Sequence, residues 1–180
     1  MAHLRKPLPV KLFIGMLSPE PALFAECSAL FRAAYGPIDL ESEALPWSVS
    51  EYYRDEMGGG LYRKFVFFDG LMDPDRLPAV KLFAAKTEAH FPRLSTGPLQ
   101  RRINLDPGYI TEAKVVLATT KDFSHRIYIG SGVYAEVTLR YDSKEQSFAA
   151  LDHTYFDFRT PAYIAFFNRA RLSLRERLGR

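Results

Sequence analysis

Apolar and polar residues along the chain alternate at two periods, and the switches between them mark out the elements. Val10–Leu17 is an almost unbroken apolar run of strand length, the pattern of a strand covered on both faces. Ser18-Pro19 then reads as an N-cap followed by proline at the first helical position. Phe24, Cys27, Phe31 and Ala34 recur at helical spacing until Gly36-Pro37 ends the helix. Ile38–Leu45 alternates as a second strand, and Leu61–Phe68 as a third. Between them, residues 47–60 form a polar, aromatic connection with Tyr52, Tyr53, Glu56 and the triplet Gly58-Gly59-Gly60, a candidate lid. Asp73-Pro74 opens a second helix with Leu77, Val80, Ala84 and Phe91 on its apolar side. Lys81 and Glu88 lie two turns apart on one face of that helix. Ile103 and Leu105 suggest a strand that Asp106-Pro107-Gly108 breaks as a turn. The order is β-α-β-β-α-β, the split pattern of a ferredoxin-like fold.

The second half is nearly all strand. Val115–Thr120 is too apolar for a half-exposed position and is placed centrally. His125–Ile129 and Val133–Tyr141 flank Gly130-Ser131-Gly132, a hairpin signal. A two-residue loop would mix apolar and polar residues on each face. A three-residue loop with Gly132 left-handed instead groups Ile127, Ile129, Val133, Ala135 and Val137. Arg126, Tyr128, Tyr134, Glu136 and Thr138 then share the other face, with Arg126 directly across from Glu136. Ser147–Phe158 reads as a third meander strand. A last helix starts near Thr160-Pro161 and buries Tyr163, Phe167, Ala170 and Leu174. The fold class is α+β: a ferredoxin-like start extended by an antiparallel meander and a C-terminal helix.

Composition bounds this picture. With 180 residues, 47% hydrophobic and 25% charged, the chain suits one domain spanning 1–180 with a single core, residues 1–9 being a flexible tail. The 14 Phe and 10 Tyr predict a core built on rings. One cysteine, Cys27, precludes an intrachain disulfide, and its place on the buried stripe favours packing over nucleophilic chemistry. A reducing cytoplasm is the expected compartment, since no apolar stretch resembles a signal peptide or approaches a membrane span. The net charge of +3 is unevenly spread. Residues 161–180 carry +4, from Arg169, Arg171, Arg175, Arg177 and Arg180 against Glu176, while Arg5 and Lys6 add +2, which leaves the body at −3. A duplex-binding protein would carry its basic face across the core, so duplex nucleic acid is disfavoured.

Candidate chemistry comes down to a short set of residues. The chain has no GxxxxGK[ST] phosphate loop. Thr120-Lys121-Asp122 approaches a guanine-reading Asn/Thr-Lys-x-Asp motif but lacks the residue between Lys and Asp. His3, His90, His125 and His153 show no paired ligand spacing, so no metal site is assigned. No cofactor is named by any motif. Gly58-Gly59-Gly60, ahead of Arg63 and Lys64, has amides suited to an anion or simply to a flexible lead-in.

The motifs Glu56-Met57-Gly58, Asn104-Leu105-Asp106-Pro107-Gly108-Tyr109, Leu117-Ala118-Thr119-Thr120-Lys121-Asp122, His125-Arg126-Ile127-Tyr128 and Tyr134-Ala135-Glu136-Val137-Thr138-Leu139 resemble the bacterial domain-of-unknown-function family numbered 4416. The resemblance runs from Lys11 to Arg169. Some members carry a GTP-binding label, which the resemblance would extend to this chain; it supplies no catalytic residue.

Three functional expectations follow from the residues. In the first, a small anionic ligand, a nucleotide or phosphoester, sits on the polar face of the meander. Arg126, Lys121 and Arg159 pair with the anion, and Tyr128, Tyr134, Asn104, Asp106, Glu56 and Glu136 complete the ligand set. Glu136, Asp157 and His125 are the acid–base candidates if a reaction occurs. In the second, the Arg-rich last helix grips RNA or a protein partner. In the third, Arg126–Glu136 and Asp157–Arg159 are ion pairs that only fix register.

Overall fold

The computed structural model describes residue 3 and residues 5–47, 57–91 and 101–180. Among these, the chain order is β1 (Val10–Ser18), α1 (Ala22–Tyr35), β2 (Ile38–Glu41), β3 (Leu45–Trp47), β4 (Leu61–Met72), α2 (Leu77–His90), β5 (Asn104–Ile110), β6 (Lys114–Thr119), β7 (Ile127–Gly130), β8 (Val133–Asp142), β9 (Ser147–Ala150) and α3 (Pro161–Arg177). Short 3-10 turns at Pro74–Arg76 and Asp157–Arg159 precede α2 and α3. All nine strands form one antiparallel sheet in the order β2-β4-β1-β5-β6-β8-β7, with β3 on β4 and β9 on β8. The architecture is α+β.

The sheet is covered on both faces. Leu12, Ile14 and Met16 of β1 point into a core shared with Phe24, Cys27 and Phe31 of α1 and Val80 and Ala84 of α2. Phe13 points the other way, into a second core with Phe65, Phe67, Phe158 and the Tyr163, Phe167, Ala170 and Leu174 stripe of α3. Two-sided burial is why β1 reads as a continuous apolar run, for every one of its nine residues is buried. Rings dominate the α3 side: Phe13 meets Phe167 edge-on at 5.3 Å, and Phe65 meets Tyr163 at 4.9 Å. Cys27 lies fully inside the first core, where burial pushes its thiol up to about 12, with Glu26 and Glu88 adding to the shift. It is a packing residue, not a nucleophile.

Several expected boundaries move. Ser18 is the last residue of β1, and α1 starts at Ala22 instead of Pro19; Ser18 Oγ accepts from the Glu20 N–H and donates to the Arg102 carbonyl. Ala34 lies on the exposed side of α1. The segment 38–45 divides into β2 and the start of β3, both paired to β4. The expected break at Asp106-Pro107-Gly108 is absent, and β5 runs through it. Gly108 is demanded by packing: a Cβ there would lie 2.4 Å from Phe13 Cζ and 2.4 Å from the Val116 carbonyl oxygen. Pro107 pairs with Ile14 of β1, but β6 pairs only with Gly108–Ile110. One flank of the strand is therefore open at Pro107, which accommodates its missing N–H.

The hairpin has the expected register by a different route. Tyr128 lies opposite Tyr134 and Ile127 opposite Ala135, which continues to Arg126 opposite Glu136. The extra residue is a bulge between Tyr128 and Gly130, and the turn itself is Ser131-Gly132, both at positive φ. The third meander strand ends at Ala150 instead of Phe158. From there Leu151, Thr154 and Arg159 bind one another's backbone as a compact loop.

Gly108→Ala should cost about 1–3 kcal/mol, the usual penalty of overpacking a filled core. The check is a lower urea midpoint at unchanged denaturant slope.

Candidate functional site

The polar residues gather at one end of the sheet, where β1 and β6 finish and β4, β5 and β8 begin. Here β5 and β6 part. Their ladder consists of Gly108–Leu117, Tyr109–Val116 and Ile110–Val115, so Asn104–Pro107 on one side and Ala118–Thr119 on the other diverge.

The first cluster is built on Arg63 of β4, which is 4% exposed. Arg63 pairs with Leu17 of β1, while Asp106 of β5 pairs with Gly15 of β1. To reach Asp106, the guanidinium must cross the intervening strand, and Gly15 leaves it room: a Cβ there would lie 3.3 Å from Arg63 Nη1. Arg63 Nη1 donates to Asp106 Oδ2 at 2.9 Å, and Nε lies 2.9 Å from Asp157 Oδ2 in the turn before α3. Asn104 Nδ2 donates to the same Asp106 oxygen at 2.7 Å. The Tyr163 hydroxyl donates to the Arg63 carbonyl at 2.8 Å, pinning α3 to the same residue. Behind β5, α2 aims Lys81 and Glu88 at the main chain of one residue, Leu105. Lys81 Nζ donates to the Leu105 carbonyl at 2.9 Å, and the Leu105 N–H donates to Glu88 Oε1 at 2.6 Å.

Burial opposes the charge of Asp106, but Arg63 and Lys81 outweigh it and hold the carboxyl below its ordinary value of 3.8. Glu88 goes the other way. Burial raises it more than Lys81 and the Leu105 N–H lower it.

The second cluster lies on β8 and its neighbours. Glu136 is 3% exposed, and its Oε2 accepts from Arg126 Nε at 2.8 Å and lies 3.2 Å from His125 Nε2. Its other oxygen, Oε1, is buried without a hydrogen-bond partner. Arg126 also donates from Nη1 to the Lys121 carbonyl at 3.0 Å and from Nη2 to the Tyr155 hydroxyl at 2.8 Å. His125 stacks on His153 at 4.3 Å, and His153 Nε2 lies 2.9 Å from the Val137 carbonyl. The Tyr128 and Tyr134 rings meet at 5.4 Å, further towards the hairpin tip.

The sequence candidates therefore fall into two groups. Arg126, Glu136 and His125 touch one another, joined to the main chain of Lys121. Asn104, Asp106 and Asp157 belong to the Arg63 cluster. The expected Asp157–Arg159 pair is not formed: Asp157 faces Arg63, and Arg159 caps the carbonyls of Leu151, Asp152 and Thr154. A side chain committed to three carbonyls is part of the loop's own framework. Glu56, Tyr52 and Tyr53, with most of the candidate lid, lie outside the described residues. Sequence reading missed Arg63 as a centre, and it missed Tyr155 and His153. The available signal was Gly15, a lone glycine in a strand of bulky residues. Among the described residues no group of three or more His, Cys, Asp or Glu side chains is placed to hold a metal ion.

A cavity of about 240 Å³ lies at the opposite end of the sheet, lined by Pro7, Leu8, Pro9, Tyr109, Leu174 and Leu178 among others. It shares no residue with either polar cluster.

Fold and site together define an α+β protein with ion-paired polar clusters gathered at one end of an antiparallel sheet. Residues 8–173 match the model of a family described as a domain of unknown function, DUF4416. The chain belongs to that family. No curated protein and no solved structure matches it.

Two outcomes test this geometry. Arg63→Met would strand two carboxylates and should cost about 3–5 kcal/mol in denaturant unfolding, the usual result of removing one partner of a buried ion pair. Asp106 gives a pH signature. Its folded value is depressed, so its stabilisation is complete above the unfolded value of 3.8 and is lost as the pH falls through the folded one. The stability gap between the parent chain and Asp106→Asn should therefore shrink as the pH falls below that value. An equal gap at about pH 3 and about pH 7 would count against the assignment.

Proposed function

We propose that this chain binds a small molecule of the nucleotide or phosphoester class on the polar face of β7 and β8, between Arg126, Glu136, His125 and Tyr155. The observation that carries the reading is Glu136 Oε1, a buried acceptor with no partner beside an Oε2 that serves two. Leaving such a group unpaired costs about 1–3 kcal/mol, and native folds keep these groups chiefly where something else uses them. A ligand hydroxyl or amino group would donate to Oε1. With His125 Nε2 turned to the carboxylate, Nδ1 is left as an acceptor or base, the arrangement of an oriented general base. The Tyr155 oxygen takes its bond from Arg126, which leaves the phenolic proton to donate. The ligand's anionic group would sit on the Lys121 side, because Arg159 is committed to its loop.

The alternative through the Arg-rich helix has less support. Arg175 and Arg180 lie on Glu112, Arg171 donates to the Glu112 carbonyl, and Arg177 pairs with Asp69. The basic helix is thus balanced largely by the acidic body. A purely structural patch is favoured by one observation, the engagement of all three Arg126 nitrogens.

The order β2-β4-β1-β5 with α1 and α2 on one face supports a ferredoxin-like reading of the first half. A single, buried thiol supports a reducing, cytoplasmic setting. Among the described residues no helix is long and apolar enough to cross a membrane.

Thermal unfolding with a panel of nucleotides, sugar phosphates and divalent ions tests the site. A ligand at a hundredfold its dissociation constant adds about 2.7 kcal/mol, a rise on the order of 5–10 °C for a chain of this size. Glu136→Gln should abolish that rise. If no panel member moves the midpoint, while Arg126→Ala lowers it as much as a core truncation, the patch is structural.

A further inference from the structure

We propose that β7 is a self-association edge, through which two copies of this chain pair with their β7 strands antiparallel. The inference does not rest on the ligand reading. Strand β7 ends the sheet: β8 is its neighbour on one side and, among the described residues, no strand lies on the other. An edge strand leaves a row of N–H and C=O groups without ladder partners, and folded proteins blunt such edges with charge, proline or cover.

The two edges of this sheet are treated differently. On β2, Asp39 and Glu41 put charge at the margin, and Lys11, Ser173 and Lys64 bind them. On β7 the residues are Ile127, Tyr128, Ile129 and Gly130, with neither charge nor proline. Ile127 is 73% exposed and Tyr128 58% exposed, and as successive strand residues they point to opposite faces. Phe123 and Tyr155, both exposed, add apolar area beside Arg126, the residue before β7. An edge of this kind, left open, would be a hazard; paired, it is an interface.

Charge selects the occupant. Among the described residues, the charged side chains around β7 and the adjoining loop include Lys121, Arg126 and Arg159 against Asp122, Glu136 and Asp152, with Arg126 and Glu136 bound together. A nucleic-acid strand needs an excess of positive charge, which this margin lacks. An isologous contact needs a patch that matches itself. An uncharged strand meets that condition, because its copy brings no like charge against it and offers the same free backbone groups. The partner is therefore a second copy of the chain, with Ile127 and Tyr128 of each copy flanking the new ladder on either face.

Sedimentation equilibrium of the full chain in the micromolar range is the test. The expected mass is twice 20.5 kDa, with Ile127→Lys weakening the dimer on the order of tenfold or more. The side chain is exposed, so the thermal midpoint of the variant monomer should match that of the parent chain at concentrations where the parent dimer has dissociated. A second readout needs no variant: amide hydrogen exchange in Ile127–Gly130 should slow as protein concentration rises. A monomer at every concentration overturns the proposal, as does a dimer indifferent to Ile127→Lys or exchange that ignores concentration. Single-stranded RNA binding by a monomeric chain, lost in Ile127→Glu, would reassign the edge to nucleic acid and equally overturn it.

Discussion

A single guanidinium crossing a strand sets much of this architecture. On the α3 side of the sheet, Arg63 ties β4, β5 and the turn before α3 together through Asp106 and Asp157. It does so beside Gly15, where a Cβ would lie 2.9 Å from the Phe65 ring and 3.3 Å from Arg63 Nη1. Taking three charges out of water is costly unless each is well matched, and the matching is supplied by Asn104, by Lys81 at the rear and by the close fit of the Phe65 and Phe158 rings, which meet at 5.1 Å. The position of α3 follows from the same contact. Its Tyr163 hydroxyl reads the Arg63 main chain, and its ring stripe then falls onto Phe13, Phe65 and Phe67.

Sequence reading was strongest where one physical rule acted alone. Two-sided burial wrote β1 as an apolar run, helical spacing placed Phe24, Cys27 and Phe31 together, and alternation set Ile127 against Ala135 and Tyr128 against Tyr134, although β8 shifts register at Thr138. Reading failed where a residue served a demand from elsewhere in the fold. Gly108 looks like a turn residue, yet it is a glycine because Phe13 of another strand occupies the space of its Cβ. Tyr155, Asp157 and Arg159 alternate like a strand, yet they sit in a loop whose carbonyls Arg159 satisfies. Local pattern carries no record of such partners.

The candidate site shows the same division. Arg126 opposite Glu136 was legible because cross-strand register follows from the hairpin. The split into two clusters was not, since it depends on how far β5 and β6 run together before they part. The uneven charge of the chain likewise has an intramolecular meaning. Much of the positive C-terminal helix is answered by Glu112 and Asp69, so an asymmetry that suggests an outside partner is largely a contact between two layers of one molecule.

The parting of β5 from β6 has a mechanical side. Three paired residues join the two halves of the sheet, against seven between β1 and β5 and six between β6 and β8. The middle of the sheet is thus a seam, with a stiff slab on either side and α3 strapped across both through Tyr163 and Asn168. Rotation about that seam would change the gap between Asp106 and Glu136 while leaving the ladders of each slab whole. The shortest of the central ladders thus adjoins the polar side chains.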